Sequence, residues 1–256
     1  MIIAVAGKGG TGKTTLAASF IRILKEENAG SVLAIDADPN SNLGELLGVK
    51  NVSTIVDIID DISKNPGQIP PGMTKDRYIE LKVQESLDEE EGFDLLTMGR
   101  PEGPGCYCFV NNILRELINK LMGSYTWAVI DNEAGMEHMS RRLVRNIDRL
   151  YIVSDASAIG VRSARRISQL ADELKISVKE KFLVLNKSNK ETLKDETDKT
   201  GLSLELILPL NDEVSEGAIK GKSIFNLKTD NSMFRLIRET SFMDIFKKKP
   251  HKLKNR

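Results

Sequence analysis

Seven short runs rich in Val, Ile and Leu recur along the chain: IIAVA (2–6), SVLAID (31–36), FDLLTM (93–98), TWAVID (126–131), RLYIVSD (149–155), KFLVLN (181–186) and LELILPL (204–210). Amphipathic stretches separate them, among them TTLAASFIRILKEE (14–27) and FVNNILRELINKLM (109–122). Continuous apolar runs read as strands buried on both faces, and strands alternating with helices build crossover units. The expected fold class is α/β, a doubly wound, mostly parallel sheet flanked by helices. The polar, Pro/Gly-rich segment at about 64–92 breaks the rhythm. Its alternating piece YIELKVQ (78–84) predicts an insertion carrying a small hairpin. Near the C-terminus, SMFRLIRETSFMDIF (232–246) predicts one docked helix, and KKKPHKLKNR, from 247, a solvated basic tail.

Composition narrows this picture. The 256 residues, 40% of them hydrophobic, suffice for one core, so a single domain over 1–256 is expected. Lys plus Arg and Asp plus Glu both total 37, which leaves no long-range field to gather nucleic acid or an anionic membrane. No run of about 18 apolar residues occurs and the N-terminal MIIAVAGKGG lacks a basic leader, so a cytoplasmic chain without stable membrane insertion is expected. In a reducing compartment, two close cysteines serve metal binding or redox chemistry more often than a structural disulfide.

Residues 7–14, GKGGTGKT, fill the full phosphate-cradle pattern, directly after an apolar strand and before a helical run. Gly7, Gly9, Gly10 and Gly12, with Lys8 and Thr11 between them, let backbone N–H groups curl around phosphate oxygens. Lys13 is placed to reach the β- and γ-phosphates, the Thr14 hydroxyl to ligate Mg²⁺, and Thr15 to complete the loop.

The extra lysine, Lys8, makes the loop G-K-G-G-x-G-K-T-T. With it the sequence resembles the deviant P-loop ATPases, the family of the nitrogenase iron protein and the MinD and ParA positioning ATPases. That resemblance implies an ATP hydrolase that dimerises on nucleotide, with Lys8 crossing to the partner's ATP. It also implies roles for IDADPNSN and VIDNEAG. Asp38 matches the switch aspartate that orients the attacking water, Asp131 the carboxylate that holds Mg²⁺ through water, and Gly135 a backbone donor to the γ-phosphate. Thr14, Asp38 and Asp131 are thus the implied magnesium set, and Lys8, Lys13, Asp38 and Asp131 the implied catalytic one.

The base is read from a different pair of loops. KFLVLN runs into Asn186-Lys187-Ser188-Asn189, without the aspartate that guanine recognition requires. An asparagine amide can pair with the N6/N7 edge of adenine, which favours ATP over GTP. By resemblance Asn186 and Lys187 belong to the base site, and LPLND (208–212) supplies Pro209, Leu210 and Asn211 around the ring.

Both cysteines, Cys106 and Cys108, lie in PGCYC (104–108). Residues i and i+2 point about 200° apart on a helix but share a side when extended. The preceding Gly-Pro-Gly disfavours helix, which puts the pair on an extended lip ahead of the helical run. Two thiolates are half of a four-coordinate set, and a two-fold dimer would complete it. Soft sulfur selects zinc, copper(I), nickel or an iron–sulfur cluster, with redox cycling or an incidental buried pair as the other readings.

The combination of GKGGTGKTT, a lone C-x-C and DNEAGMEH (131–138) resembles the carbon monoxide dehydrogenase accessory ATPases of the CooC type, including relatives that serve acetyl-CoA synthase. It implies a nickel-insertion ATPase with Ni²⁺ or Zn²⁺ at a dimer-shared site and one of those enzymes as client. Iron–sulfur scaffold ATPases of the same superfamily usually carry C-x-x-C near the C-terminus. A membrane- or DNA-associated positioning ATPase stays an alternative through the basic tail from Lys247, although such a protein has no use for C-x-C. The iron-protein reductases separate their cluster cysteines widely.

Overall fold

The computed structural model describes residues 1–50, 52–100, 108–133, 144, 146–188 and 200–247, with the side chains of 108–112 and 245–247 outside the description. Eight strands form one sheet: β1 (Ile2–Gly7), β2 (Val32–Ala37), β3 (Asp88–Glu90), β4 (Phe93–Thr97), β5 (Trp127–Asn132), β6 (Asn146–Ser154), β7 (Ser177–Asn186) and β8 (Ser203–Leu208). Their spatial order is β3-β4-β2-β5-β1-β6-β7-β8. Every pairing is parallel except β3 with β4. The sheet is therefore doubly wound, and all seven apolar runs are strands of it.

Alternate strand residues feed two apolar layers, one on each face. Leu33, Ile35, Ile130 and Ile152 pack with α3 (Ile55–Lys64), α4 (Lys75–Glu85), α5 (Cys108–Ser124) and α6 (Ala158–Glu173). On the opposite face Val32, Ala34, Val129 and Tyr151 pack with α1 (Lys13–Glu26), α2 (Asn42–Leu47), α8 (Ser232–Arg238) and α9 (Ser241–Lys247), while α7 (Asp212–Ile219) follows β8. Residues Leu16 to Leu24 of α1 are buried without a break. That helix lies between the sheet and the C-terminal helices, so a polar residue there needs internal partners. Arg22, 1% exposed, donates to the Ile224 carbonyl and to Glu26, and its guanidinium stands 4.2 Å from the Phe234 ring centre.

Two expectations are corrected. YIELKVQ is not part of a hairpin but lies in α4, whose N-terminus is capped by the Thr74 hydroxyl accepting from the Arg77 N–H. Tyr78, Ile79 and Val83 make the buried stripe while Leu81 is 39% exposed, so the helical period prevails over the alternation. The hairpin of this region is β3–β4, turning through Gly92 at φ 86°. The terminal amphipathic stretch is also two helices, not one. The Thr240 hydroxyl donates to the Ile237 carbonyl, ending α8, and accepts the Phe242 N–H, starting α9.

Candidate functional site

The C-terminal ends of β1, β2, β5, β7 and β8 open on one edge of the sheet, where α/β folds hold ligands. The chain leaves β1 at Gly7, where a Cβ would come within 2.3 Å of the Val153 carbonyl oxygen of β6. It then turns through Gly10 at φ 78° and Gly12 at φ 93°, conformations that residues with a Cβ rarely adopt. Thr11 closes the turn, donating from its hydroxyl to the Lys8 carbonyl at 2.8 Å. Gly12 is the N-cap of α1 and brings no side chain, so the first N–H groups of that helix face the loop. Lys13 is 6% exposed, and among the described residues it makes no ion pair. Lys8 is exposed, near the negatively charged Asp155 at the end of β6, whose carboxyl is held below its usual range by Ser157 and, less strongly, by Lys8.

Asp36 and Asp131 end β2 and β5 as register partners. Asp36 accepts the N–H groups of Asp38 at 3.1 Å and Leu43 at 2.8 Å, which fastens the loop between them to the sheet. Burial pushes its pKa up to about 6 against those donors. Asp38 accepts both N–H groups offered by Asn40, backbone at 2.9 Å and side chain at 2.8 Å. Asp131 is 0% exposed, and among the described residues no hydrogen bond of full geometry reaches either carboxylate oxygen, the Thr14 hydroxyl acting on it only more weakly. Burial pushes it up to about 7; the Asp36 and Asp38 charges act in the same direction, while the Thr14 hydroxyl and Lys13 ammonium favour its charged form. A buried carboxylate without full hydrogen bonds is a site that a cation would satisfy. Thr14, Asp38 and Asp131 offer the hard oxygen set that Mg²⁺ takes.

Thr14 and Asp38, but not the buried Asp36 and Asp131, border a cleft of about 730 Å³. Of the residues read from the sequence, Gly9, Gly10, Gly12, Lys13, Thr14, Thr15, Asp38, Asn186, Lys187, Pro209, Leu210 and Asn211 line it. The Asn186 amide donates to the Thr11 carbonyl at 2.8 Å, and Asn211 caps α7 by accepting the Val214 N–H. Gly135 and Cys106 fall outside the described residues; Cys108 is the first residue of α5, its side chain likewise outside. The cleft also includes Asn40, Asn42, Glu45 and Leu46 after Asp38, Val214, Ser215 and Ala218 of α7, and Met233 of α8. Proximity to Asp38 and to Pro209 could have pointed to the first two groups; nothing local to Met233 signals its place.

The family model for the CobQ/CobB/MinD/ParA nucleotide-binding domain matches residues 2–224. The chain is 43% identical to the uncharacterized ATP-binding protein MJ0685 of Methanocaldococcus jannaschii, over 97% of this chain and 100% of that one. It is 32% identical to the carbon monoxide dehydrogenase accessory protein CooC of Rhodospirillum rubrum, over 69% of this chain and 71% of that one. In three dimensions it is similar to the MinD cell division protein of Aquifex aeolicus, with a TM-score of 0.68, 21% identity and 99% of each chain covered. Among the described residues no helix is long and apolar enough to cross a membrane. With a phosphate cradle, two strand-end aspartates and a base-sized cleft on one sheet edge, the chain belongs to the CobQ/CobB/MinD/ParA family of ATP-binding NTPases and is an ATPase.

Proposed function

We propose that this ATPase works as a nucleotide-dependent homodimer that carries nickel or zinc on Cys106 and Cys108 and serves nickel insertion into carbon monoxide dehydrogenase or acetyl-CoA synthase. The observation that carries the reading is the Cys-Tyr-Cys run, in a chain with no other cysteine and 32% identical to CooC; the structure corrects the expected extended lip in one respect, since Cys108 is already the first residue of α5. The topology supports it. β4 ends at Thr97 on the same sheet edge as the phosphate cradle, and the chain returns as α5 from Cys108, so the segment bearing both thiols starts and finishes beside the ATP-binding end of the fold.

In this mechanism the Gly7–Thr14 loop and Lys13 grip the phosphates while Asn186, Lys187, Pro209, Leu210 and Asn211 surround the adenine. Lys8 reaches the nucleotide of the partner subunit, and the Gly135 N–H meets the γ-phosphate. Asp38 orients the attacking water; Asn40 engages its Oδ1 alone, which leaves Oδ2 for that role. Thr14, Asp38 and Asp131 would hold Mg²⁺, which would supply charge neutralisation at the phosphates. Closure around ATP and binding of the thiolate-held ion bias one open-to-closed equilibrium from separate sites. Hydrolysis reopens the dimer.

Anaerobic purification followed by metal and sulfide analysis tests the cargo. Stoichiometric nickel or zinc without sulfide is expected. Iron with acid-labile sulfide would overturn metal delivery in favour of an iron–sulfur carrier.

A further inference from the structure

The residue expected to read the base is bound to the phosphate loop. Asn186 Nδ2 donates to the Thr11 carbonyl at 2.8 Å, and Oδ1 accepts the Lys187 N–H at 2.9 Å. A carbonyl oxygen only accepts and a backbone N–H only donates, so exchanging the amide's oxygen and nitrogen would break both bonds. The orientation of the amide is therefore set by chemistry. It is also set by packing, since a Cβ on Gly12 would lie 2.3 Å from Nδ2.

Two further contacts make this a strut and not a single bond. Lys187 holds a left-handed backbone, φ 56°, and its Nζ donates to the Gly10 carbonyl at 3.4 Å. The Ser188 N–H donates to the Leu208 carbonyl at 3.0 Å, tying the same loop to the strand that leads into Pro209. On the other side, Thr11 passes the restraint on, because its hydroxyl donates to the Lys8 carbonyl at 2.8 Å. A continuous path thus runs from the β7 and β8 ends through Asn186 and Thr11 to the crown of the loop. Lys187 is a non-glycine residue in the left-handed region, a conformation that persists where surrounding structure holds it.

We propose that Asn186, with Lys187, is a positioning residue that shapes the phosphate cradle whether or not a base is bound. The proposal rests on the nucleotide-binding reading of the cleft. It separates two roles that ATP binding alone confounds, since a base reader acts only on ligands that have a base.

The test uses Mg²⁺–tripolyphosphate, a ligand with the phosphates of ATP and no base, titrated by calorimetry into the full chain and into Asn186→Ala, Asn186→Asp and Lys187→Ala. Asn186→Ala should weaken tripolyphosphate at least about tenfold, as expected for a lost hydrogen bond of about 1.4 kcal/mol. Asn186→Asp should weaken it further, because an acceptor then faces the Thr11 carbonyl. Lys187→Ala, which keeps the amide, should weaken it about two- to threefold. Circular dichroism melts of each variant confirm that it is folded. Unchanged tripolyphosphate affinity alongside weakened ATP would overturn the strut and leave Asn186 as a base reader only. Binding of ATP but not tripolyphosphate by the unaltered chain would overturn it too, since the cradle would then need the base. Failure of the unaltered chain to bind either ligand would instead remove the nucleotide reading itself.

Discussion

Asp36 and Asp131 are register partners on adjacent parallel strands and both are 0% exposed, yet Asp36 accepts backbone N–H groups from Asp38 and Leu43 while Asp131 accepts none among the described residues. The same residue type at the same level of the sheet is thus structural in one strand and unsatisfied in the next. The difference predicts opposite responses to one isosteric change. Asp36→Asn sets an amide against backbone donors and should lose about 1–3 kcal/mol of stability. Asp131→Asn removes a buried charge whose desolvation outweighs the help it gets from Thr14 and Lys13 and which has no backbone donor among the described residues, so the nucleotide-free protein should be as stable as before or more so. Urea midpoints in chelator-treated buffer measure both. Equal losses in the two variants would contradict the assignment.

Lys13 and Asp38 should separate binding from chemistry. Lys13 is buried beside the cradle without an ion pair among the described residues, whereas Asp38 lines the cleft and its carboxylate accepts from Asn40 of its own loop. Lys13→Ala should abolish ATP binding. Asp38→Ala should retain affinity within about threefold and lose turnover by about 100-fold or more, the scale of one positioned catalytic group. Phosphate release and equilibrium titration read the two effects separately; an Asp38→Ala protein that hydrolyses normally ends its role as the water-orienting group.

Much of this arrangement was legible in the sequence, and the exceptions share a cause. Apolar runs buried on both faces, such as VLAID and WAVID, can hardly be anything but central strands, and GKGGTGKT is a local pattern with a local function. YIELKVQ was misread because three alternating apolar residues fit two periods, and only contact with α3 and α5 decides that Tyr78, Ile79 and Val83 face inward. The Asn40 hold on Asp38 and the Asn186 hold on Thr11 leave no periodic trace. Met233 enters the cleft from α8 because Arg22 and Phe234 dock that helix on α1, a relation between distant segments.

Arg22 should be a stability residue and not a catalytic one. Its guanidinium satisfies the Ile224 carbonyl, pairs with Glu26 and covers Phe234 inside a layer that is otherwise apolar. Arg22→Ala leaves that carbonyl without its donor and opens a void, so a loss of about 3 kcal/mol is expected. Thermal melts would show it as a fall in midpoint, with ATP affinity of the folded fraction little changed. A melt within a degree of the unaltered protein would show that the buried pair contributes nothing.

Lys8 should act across the dimer. It is exposed at the crown of the cradle, on a loop whose carbonyl is fixed by Thr11, so its side chain is presented outward without disturbing the phosphate grip. Lys8→Ala should keep monomeric ATP binding nearly intact and stop ATP from driving association. Light scattering with and without nucleotide distinguishes these; ATP-dependent dimerisation that survives the substitution would return Lys8 to an ordinary surface role.

Cys106 and Cys108 are expected to be joint ligands of one ion shared by two chains. The reasoning is stoichiometric: two soft ligands per chain, one residue apart at the start of a helix, with no third cysteine, form a half-site that two-fold symmetry can complete. Three measurements should then agree. Metal content should be one ion per two chains, affinity should fall as pH drops and the thiolates protonate, and metal alone should promote some association without nucleotide. Replacing either cysteine by serine should abolish tight metal binding yet leave ATP affinity unchanged, because the cradle contributes no ligand to the ion. One ion held tightly by each isolated monomer would break the shared-site argument. Chelation would then have to be completed within a single chain, and His138, which follows Asp131 in the same segment, becomes the residue to replace next.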